Sequence, residues 1–302
     1  MLPVSIVIPT YNRSEKIRKT IDALHNQDYP HFELVVVDDG STDGSTDRIE
    51  AMFRTMKNPP RLIRQKNGGA SSAINHGVRE SKNPLIILFD DDIIPAADTV
   101  RKHVEFHTGT PGSVLSGSAD TDPDNVTTDV ERYKVYMEEL WLKARPDTLQ
   151  RVKVEFSNFI ITTANMSFSK NVFEQVGGFN VDLRDGYDVE FGFRVLLNKV
   201  PLYFDRALKS IHNDQISLGY YAGRQRAYNR SKQAIFKQYP ELEKQFPRVA
   251  EKPAFPKSTI YSILRRQSLV RFFESRLFAR LFPRSFRYRV YGSTIAALSL
   301  KP

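Results

Sequence analysis

Four short apolar runs separated by helical patterns constrain this chain more than any other feature. VSIVIP (4–9), ELVVVDD (33–39) and LIILF (85–89) are apolar and β-branched without clean alternation, and RLIR (61–64) can supply another strand. Runs of that kind suit strands buried on both faces of a parallel sheet. Between them, Ile17, Ile21 and Leu24 fall at i, i+4 and i+7 after a plausible cap near Ser14. STDRIEAMF (45–53) follows a Gly/Ser/Asp-rich turn, and ASSAINHGVRES (70–81) reads as a helix of small residues. The order β-α-β-α-β-α-β over about 90 residues predicts an open, doubly wound α/β sheet. Such sheets bind ligands beyond the carboxyl ends of their strands. Three polar clusters stand at those ends: Thr10, Tyr11 and Asn12; Asp38 and Asp39; and Asp90, Asp91 and Asp92. They should converge on one rim.

Three adjacent carboxylates repel unless something positive sits among them, so FDDD after a buried strand calls for a cation. Oxygen ligands held close together suit a hard divalent ion, Mg²⁺ or Mn²⁺, which keeps positions for water or substrate phosphate. The common nucleotide motifs are missing. The first strand runs into PTYNRSE instead of G-x-G-x-x-G, and no GK[ST] occurs. A metal-bridged nucleotide diphosphate is the expected ligand.

The 302 residues carry a net charge of +9 that is unevenly spread. Residues 221–302 hold 18 Lys plus Arg against four Glu and no Asp, or +14, which leaves −5 for residues 1–220. Two differently behaving parts are expected, with a boundary near 220 and a proline-marked linker, FPRVAEKPAFPKS (246–258), inside the basic part. Cysteine is absent, which excludes disulfides and thiolate metal sites. The apolar run at the N-terminus has no basic residues before it and is interrupted by Pro9, and no stretch reaches the length of a membrane span. A cytoplasmic protein is expected.

In the basic part, Ile260, Ile263, Leu264, Val270, Leu277 and Leu281 lie along a helical stripe, with Arg265, Arg266, Arg271, Arg276 and Arg280 supplying charge. Two readings stay open. This helix lies on an anionic membrane surface, at the inner face of the plasma membrane, or its stripe packs on the core and its arginines are solvated. GYYAGRQRAYNRSKQAIFKQY (219–239) interleaves aromatics with Arg and Lys but contains no nucleic-acid module, so no nucleic-acid partner is expected.

Six segments, VSIVIPTYNR, ELVVVDDGSTDGS, NGGASSAINHG, FDDD, NMSFSKNVFEQVGGF and GYDVEFGFR, occur in the order seen in family 2 glycosyltransferases of the GT-A fold. The resemblance covers about residues 3–215. It implies a GT-A domain over 1–220 followed by a helical extension, 221–302, and an inverting enzyme that uses Mn²⁺ or Mg²⁺. The donor would be a nucleotide-diphosphate sugar and the acceptor a carbohydrate or lipid-linked hydroxyl, as in cell-surface polysaccharide or glycolipid synthesis.

By the same resemblance, Asp92 holds the metal and Asp90 contacts the ribose or the metal through water, with Asp91 expected to face solvent and tolerate Asn. The alternative is an acidic turn capping the next helix. Asp39 matches the position that bonds the base, and Thr10 and Tyr11 match the base pocket, while Asp38 is expected to be structural. His212 stands where many GT-A enzymes place a histidine on the metal or diphosphate. In the acceptor motif Tyr187 replaces a common Glu, leaving Asp188 as the candidate base that takes the acceptor's proton, with Asp185 and Glu190 as alternatives. If a helix starts there, Asp188 and Glu190 point about 200° apart. Gly177 and Gly178 read as a tight turn beside the donor sugar. Ile74 occupies a place where the family often has an Arg that contacts uridine and diphosphate, so those contacts must come from elsewhere. Trp141 reads as a core anchor more readily than as a sugar platform. Two rivals remain: a nucleotidyltransferase that makes an activated sugar, and a non-catalytic protein that binds sugar nucleotide or membrane.

Overall fold

In the computed structural model, which describes residues 2–122, 126–145, 150–212, 216–240 and 257–300, the expected alternation is present from the first strand. It runs β1 (Val4–Thr10), α1 (Ser14–His25), β2 (Phe32–Asp38), α2 (Ser45–Arg54), β3 (Arg61–Arg64), α3 (Ala70–Glu80) and β4 (Leu85–Phe89). β1 pairs in parallel with β2 on one side, Val4 opposite Phe32 and Thr10 opposite Asp38, and with β4 on the other, Val4 opposite Leu85. Although Ser5 within it is buried and donates to Glu33, a strand flanked on both edges and covered on both faces is mostly apolar, and Val4, Ile6, Val7 and Ile8 have no exposed surface. Each such side chain contributes about 2 kcal/mol by leaving water. Helix α3 lies close to the sheet through Gly77, where a Cβ would meet Val7 Cγ1 at 2.4 Å and Val37 Cγ2 at 2.9 Å. Any larger residue would push the helix off the strands.

The cap near Ser14 is displaced. Arg13 is the N-cap of α1 and makes no side-chain capping bond, while Ser14 Oγ accepts from Arg48 Nε at 2.8 Å. Ile17, Ile21 and Leu24 are fully buried against the sheet as their spacing requires.

The chain continues through β5 (Ile93–Pro95), α4 (Thr99–Gly109), β6 (Val114–Gly117), β7 (Asp120–Thr121), α5 (Asp129–Lys143), β8 (Val152–Lys153), β9 (Asn165–Ser169), α6 (Lys170–Val176), α7 (Tyr187–Leu197), β10 (Leu202–Asp205) and β11 (Ser210–His212). The main sheet has eight strands in the order β3-β2-β1-β4-β9-β6-β10-β8. β9 is antiparallel to both β4 and β6, so the sheet is mostly parallel with its second half mixed. β5 and β11 pair antiparallel, Ile93 opposite His212.

Four further helices follow α8 (Leu218–Gln238): α9 (Lys257–Leu264), α10 (Gln267–Phe273), α11 (Arg276–Leu281) and α12 (Arg284–Ser299). The expected linker at 246–258 lies outside the described residues as far as 256. Two compact units emerge, one of residues 1–120 and 145–213, the other of 121–144 and 214–302, so that α5 belongs with the C-terminal helices. The second unit has its own core of Tyr133, Leu218, Phe273, Phe278, Tyr291 and Ile295. Arg287 clamps it. Its Nε and Nη2 donate to the two oxygens of Asp129 at 2.7 and 3.1 Å, and its Nη1 donates to the carbonyls of Ala279 and Phe282. Burial pushes the Asp129 carboxyl up, but its hydrogen bonds from Arg287 and Tyr291 outweigh this and hold it below the ordinary range.

Two expectations are corrected here. The single amphipathic helix at 260–282 is three short helices, interrupted at Arg266, which is extended, and at Ser275, whose side chain caps α11 by accepting from Phe278 N. Its stripe therefore divides: Val270 is buried and Leu264 half-buried, whereas Ile260, Ile263, Leu277 and Leu281 are exposed. Trp141 is no core anchor; it is 39% exposed on α5, one turn from the equally exposed Met137. No helix of the described residues is long and apolar enough to cross a membrane.

Candidate active site

Because β1 lies between β2 and β4, the residues just past their carboxyl ends are neighbours, and hydrogen bonds join them. Thr10 Oγ1 donates to Asp91 Oδ2 at 2.7 Å, and Thr10's carbonyl accepts from Asp39 N at 2.9 Å. The positive charge that FDDD requires comes in part from the chain itself. One Arg13 nitrogen reaches Asp91 Oδ1 at 3.0 Å and Asp92 Oδ2 at 2.9 Å, and Lys16 Nζ lies 3.6 Å from Asp92 Oδ2. α1 starts at the end of β1 and so carries both cations to the aspartates.

Asp91 does not face solvent. It is 4% exposed, bonded to Thr10 and Arg13, and its backbone carbonyl accepts from Thr20 Oγ1. Burial pushes its carboxyl up to about 6 against the pull of Arg13, with the neighbouring Asp92 adding to the rise. The middle residue of the triplet is held inward by Thr10 and Arg13. It is the anchor of the turn, not a spare charge.

Asp92 is also buried, and its Oδ1 lies 3.5 Å from His212 Nε2, a residue delivered by β11 through its pairing with β5. Among the described residues no group of three His, Cys, Asp or Glu side chains could by itself hold a metal ion. Asp92 and His212, side by side, would offer two ligands. That set suits Mg²⁺ or Mn²⁺, which typically take one or two protein ligands and complete their shell with substrate phosphate and water.

The second-strand aspartates have separate tasks. Asp38 accepts from Ser41 Oγ at 2.5 Å and from Thr46 Oγ1, closing the GSTDGS turn onto α2. Asp39 accepts from Gln65 Nε2 at 2.7 Å and from the backbone N–H groups of Gly68 and Gly69, both at 2.8 Å. Asp39 thus organises the loop that enters α3. His76 on α3 backs this arrangement through a 2.9 Å bond between Nδ1 and Gln65 Oε1. Tyr11 is exposed at the mouth of the rim.

A third strip of chain is laced to that loop. Asn75 makes two 2.8 Å bonds with the backbone of Phe179, accepting from its N–H and donating to its carbonyl. Gly177 and Gly178 both have positive φ, +87° and +69°, and a Cβ at Gly178 would meet Asn75 Oδ1 at 3.2 Å, so the turn read from the sequence is present. Ser71 Oγ donates to Leu183 O at 3.4 Å, and Arg184 Nη1 donates to Asn67 Oδ1 at 3.4 Å. The chain then enters α7, with Gly186 as its left-handed N-cap and Asp188 in its first turn. Asp188 is half-buried, its Oδ1 accepting from Val189 N at 2.8 Å. Glu190 points the other way: it is 1% exposed and gripped by both Arg194 Nε at 2.6 Å and Nη2 at 2.7 Å. That bidentate pair locks Glu190 to Arg194, one turn on in the same helix. Ile74 is buried.

Beneath the site, a polar network fixes β11. Asn165 Nδ2 donates to Leu208 O and Ser210 Oγ, both at 2.9 Å, which leaves Oδ1 to accept from His103 Nε2 at 2.8 Å. His103 Nδ1 must then accept the Ser167 hydroxyl proton at 2.7 Å, and His107 Nε2 must donate to the same oxygen at 2.7 Å. This order requires a neutral His103, because its Nδ1 must accept. Burial lowers His103 to about 4, and burial with the neighbouring His103 lowers His107 to about 3. Reading the sequence did not reveal Arg13, Lys16, Gln65, Asn75 or Asn165 as site-building residues, although all but Gln65 fall inside the six motif segments or directly after one.

The comparisons with known proteins agree with this geometry. A family model described as glycosyl transferase family 2 matches residues 5–177. Glycosyltransferase AglE of Haloferax volcanii is 29% identical over 191 residues, covering 62% of this chain and 59% of AglE. The putative teichuronic acid biosynthesis glycosyltransferase TuaG of Bacillus subtilis is 29% identical over 103 residues, 34% of this chain and 41% of TuaG. The chain therefore spans less than two thirds of the length of these relatives. Among solved structures, the mannosyltransferase PcManGT from Pyrobaculum calidifontis, in complex with GDP-Man and Mn²⁺, superposes with a TM-score of 0.62 at 18% identity, covering 98% of this chain and 75% of that one. Residues 1–349 of S. aureus TarS in complex with UDP-GlcNAc give 0.55 at 17% identity, over 99% and 90%. At those identities the likeness is one of fold, and the fold is GT-A.

Proposed function

Because the chain belongs to glycosyl transferase family 2, we propose that it is an inverting, metal-dependent glycosyltransferase that moves a sugar from a nucleotide-diphosphate sugar to an acceptor hydroxyl. The observation that carries this reading is the approach of Asp92 and His212 to 3.5 Å, on a rim that Thr10 joins to both Asp39 and Asp91. In this reading Thr10, Tyr11 and Asp39 receive the base, and Asp90 receives the ribose. Asp92 and His212 would hold a divalent cation, which when bound would offset the charge of the diphosphate leaving group. Arg13 and Lys16, already beside Asp92, supply further positive charge where the diphosphate would lie.

Asp188 would accept the acceptor hydroxyl's proton as that oxygen attacks the anomeric carbon from the face opposite the leaving group. Glu190 is buried and held by Arg194, whereas Asp188 stands half-buried in the same first turn. A carbohydrate or lipid-linked acceptor in cell-surface polymer synthesis, with the enzyme working on the cytoplasmic side of a membrane, fits the teichuronic acid biosynthesis in TuaG's name.

A donor screen that monitors nucleoside diphosphate release with Mn²⁺ and with Mg²⁺ tests the reaction. Asp188→Asn should lower transfer by about 10²–10⁴-fold at saturating donor while leaving donor affinity within about threefold. Unchanged turnover in that variant would remove Asp188 as the base. Pyrophosphate release from a nucleoside triphosphate would point instead to a nucleotidyltransferase, and metal-dependent donor binding without any turnover to a non-catalytic protein.

A further inference from the structure

The second unit leaves a compact apolar elbow uncovered where α11 meets α12. Phe278 is buried at its centre, and Phe282 and Phe286 pack around it with ring centroids 4.9 and 6.4 Å away. On the outer face of α11, Leu277 and Leu281 are one helical turn apart and are 58% and 63% exposed, and Phe286 at the start of α12 is 46% exposed. A chain that needed these side chains only for its own core would have turned them inward, as it did with Phe278.

Positive charge prevails along the two helices of the elbow. From Ser275 to the end of the chain there are six cationic residues and no acidic one. Arg287 is drawn inward by Asp129, but Arg276, Arg280, Arg284 and Arg289 are exposed, and no described carboxylate lies within ion-pair distance of them. Arg276 and Arg280 flank the two leucines on the same short helix. Leucine tips ringed by unneutralised arginines match the boundary of an anionic bilayer, where apolar groups enter the acyl region and guanidinium groups meet phosphate.

We propose that the α11–α12 elbow is a membrane-docking site that inserts Leu277, Leu281 and Phe286 into the interface of an anionic lipid bilayer. This deepens the membrane-side reading given above by naming the contact. It is narrower than the stripe of residues 260–282 suggested by the sequence, because Val270 of that stripe is buried in the second unit's core. Membrane docking is independent of the chemistry at Asp92 and Asp188, so the two can fail separately.

The test is flotation of the full chain, without donor or acceptor, with vesicles of phosphatidylcholine containing phosphatidylglycerol and with vesicles of phosphatidylcholine alone. The expected result is binding to the anionic vesicles only, weakened by salt. The double variant Leu277→Ser/Leu281→Ser should lose at least about tenfold in binding, and Arg276→Ser/Arg280→Ser should lose a similar factor together with most of the salt dependence. Leu197→Ser, a change at another exposed leucine, in the first unit, should bind as the parent does. Leu281→Ser alone, and a thermal unfolding midpoint for each variant, guard against loss of fold. Equal binding to both vesicle types, or full binding by the folded double-leucine variant, would overturn the proposal. So would a parent protein that is dimeric and becomes monomeric in that variant, since a second copy would then be what covers the elbow.

Discussion

The two units treat charge in opposite ways. In the first, ionic groups brought to the strand ends are tied to partners from the same unit: Asp38 to Ser41 and Thr46, Asp39 to Gln65 and two glycine amides, Asp91 and Asp92 to Arg13. In the second, one such cluster is drawn inward, Asp129 with Arg287 and Tyr291, and the other arginines of α11 and α12 are turned to solvent. Charges that must hold one geometry for a small ligand have to be buried and bonded, whereas charges that meet a broad surface need only be exposed.

The largest expected effect lies in the first unit. Asp92→Asn should reduce transfer by at least about 10²-fold, since it removes a charge from the group placed to hold the cation. Mn²⁺ binding followed by electron paramagnetic resonance should weaken in parallel. Transfer and Mn²⁺ binding like those of the parent would take Asp92 out of the metal site.

Next comes the contrast between inward and outward arginines of the second unit. Arg287→Ala removes the two short bonds to Asp129 and leaves it, as cation, only the half-exposed Arg132, whose Nε lies 3.5 Å away; the change should cost about 3 kcal/mol in denaturant unfolding. The same change at Arg280 should cost under about 0.5 kcal/mol. Equal costs would erase the distinction between the two kinds of arginine.

The histidine network gives an effect of similar size that depends on pH. His103 is held neutral with its value lowered to about 4, so its contribution is present above the unfolded value near 6.5 and is lost as pH falls toward 4. About 3 kcal/mol of stability should disappear over that window from His103 alone. His103→Gln should flatten the acid side of the stability curve, and an unchanged curve would mean that the imidazole is not neutral in the folded state.

The smallest expected effect tests the inward turn of Asp91. Asn in its place sets an NH₂ group against one of two donors, the Thr10 hydroxyl or the Arg13 guanidinium. A loss of about 1–3 kcal/mol is expected in thermal unfolding, with Mn²⁺ binding retained more fully than in Asp92→Asn. Full stability in that variant would restore the solvent-facing reading of Asp91.

Much of the first unit was legible because its signals are local. Buried parallel strands are mostly apolar on both faces, so VSIVIP and LIILF announce themselves, and topology then requires Thr10, Asp39 and Asp92 to stand on one rim. The order of six motif segments identified the family for the same reason, since each motif is a few contiguous residues. What only the tertiary structure decided involves partners far apart in the chain. Arg13 meets Asp91 across 78 positions and Asn75 meets Phe179 across 104, and no periodicity encodes such pairs. The second unit shows the same limit from the other side. A stripe of apolar residues is visible in the sequence, but the extended Arg266 and capping at Ser275 divide it into short helices, with Phe278 buried and Leu277 and Leu281 outside. Local chemistry determined which residues carry charge and apolar surface; packing determined which of them are free to meet something else.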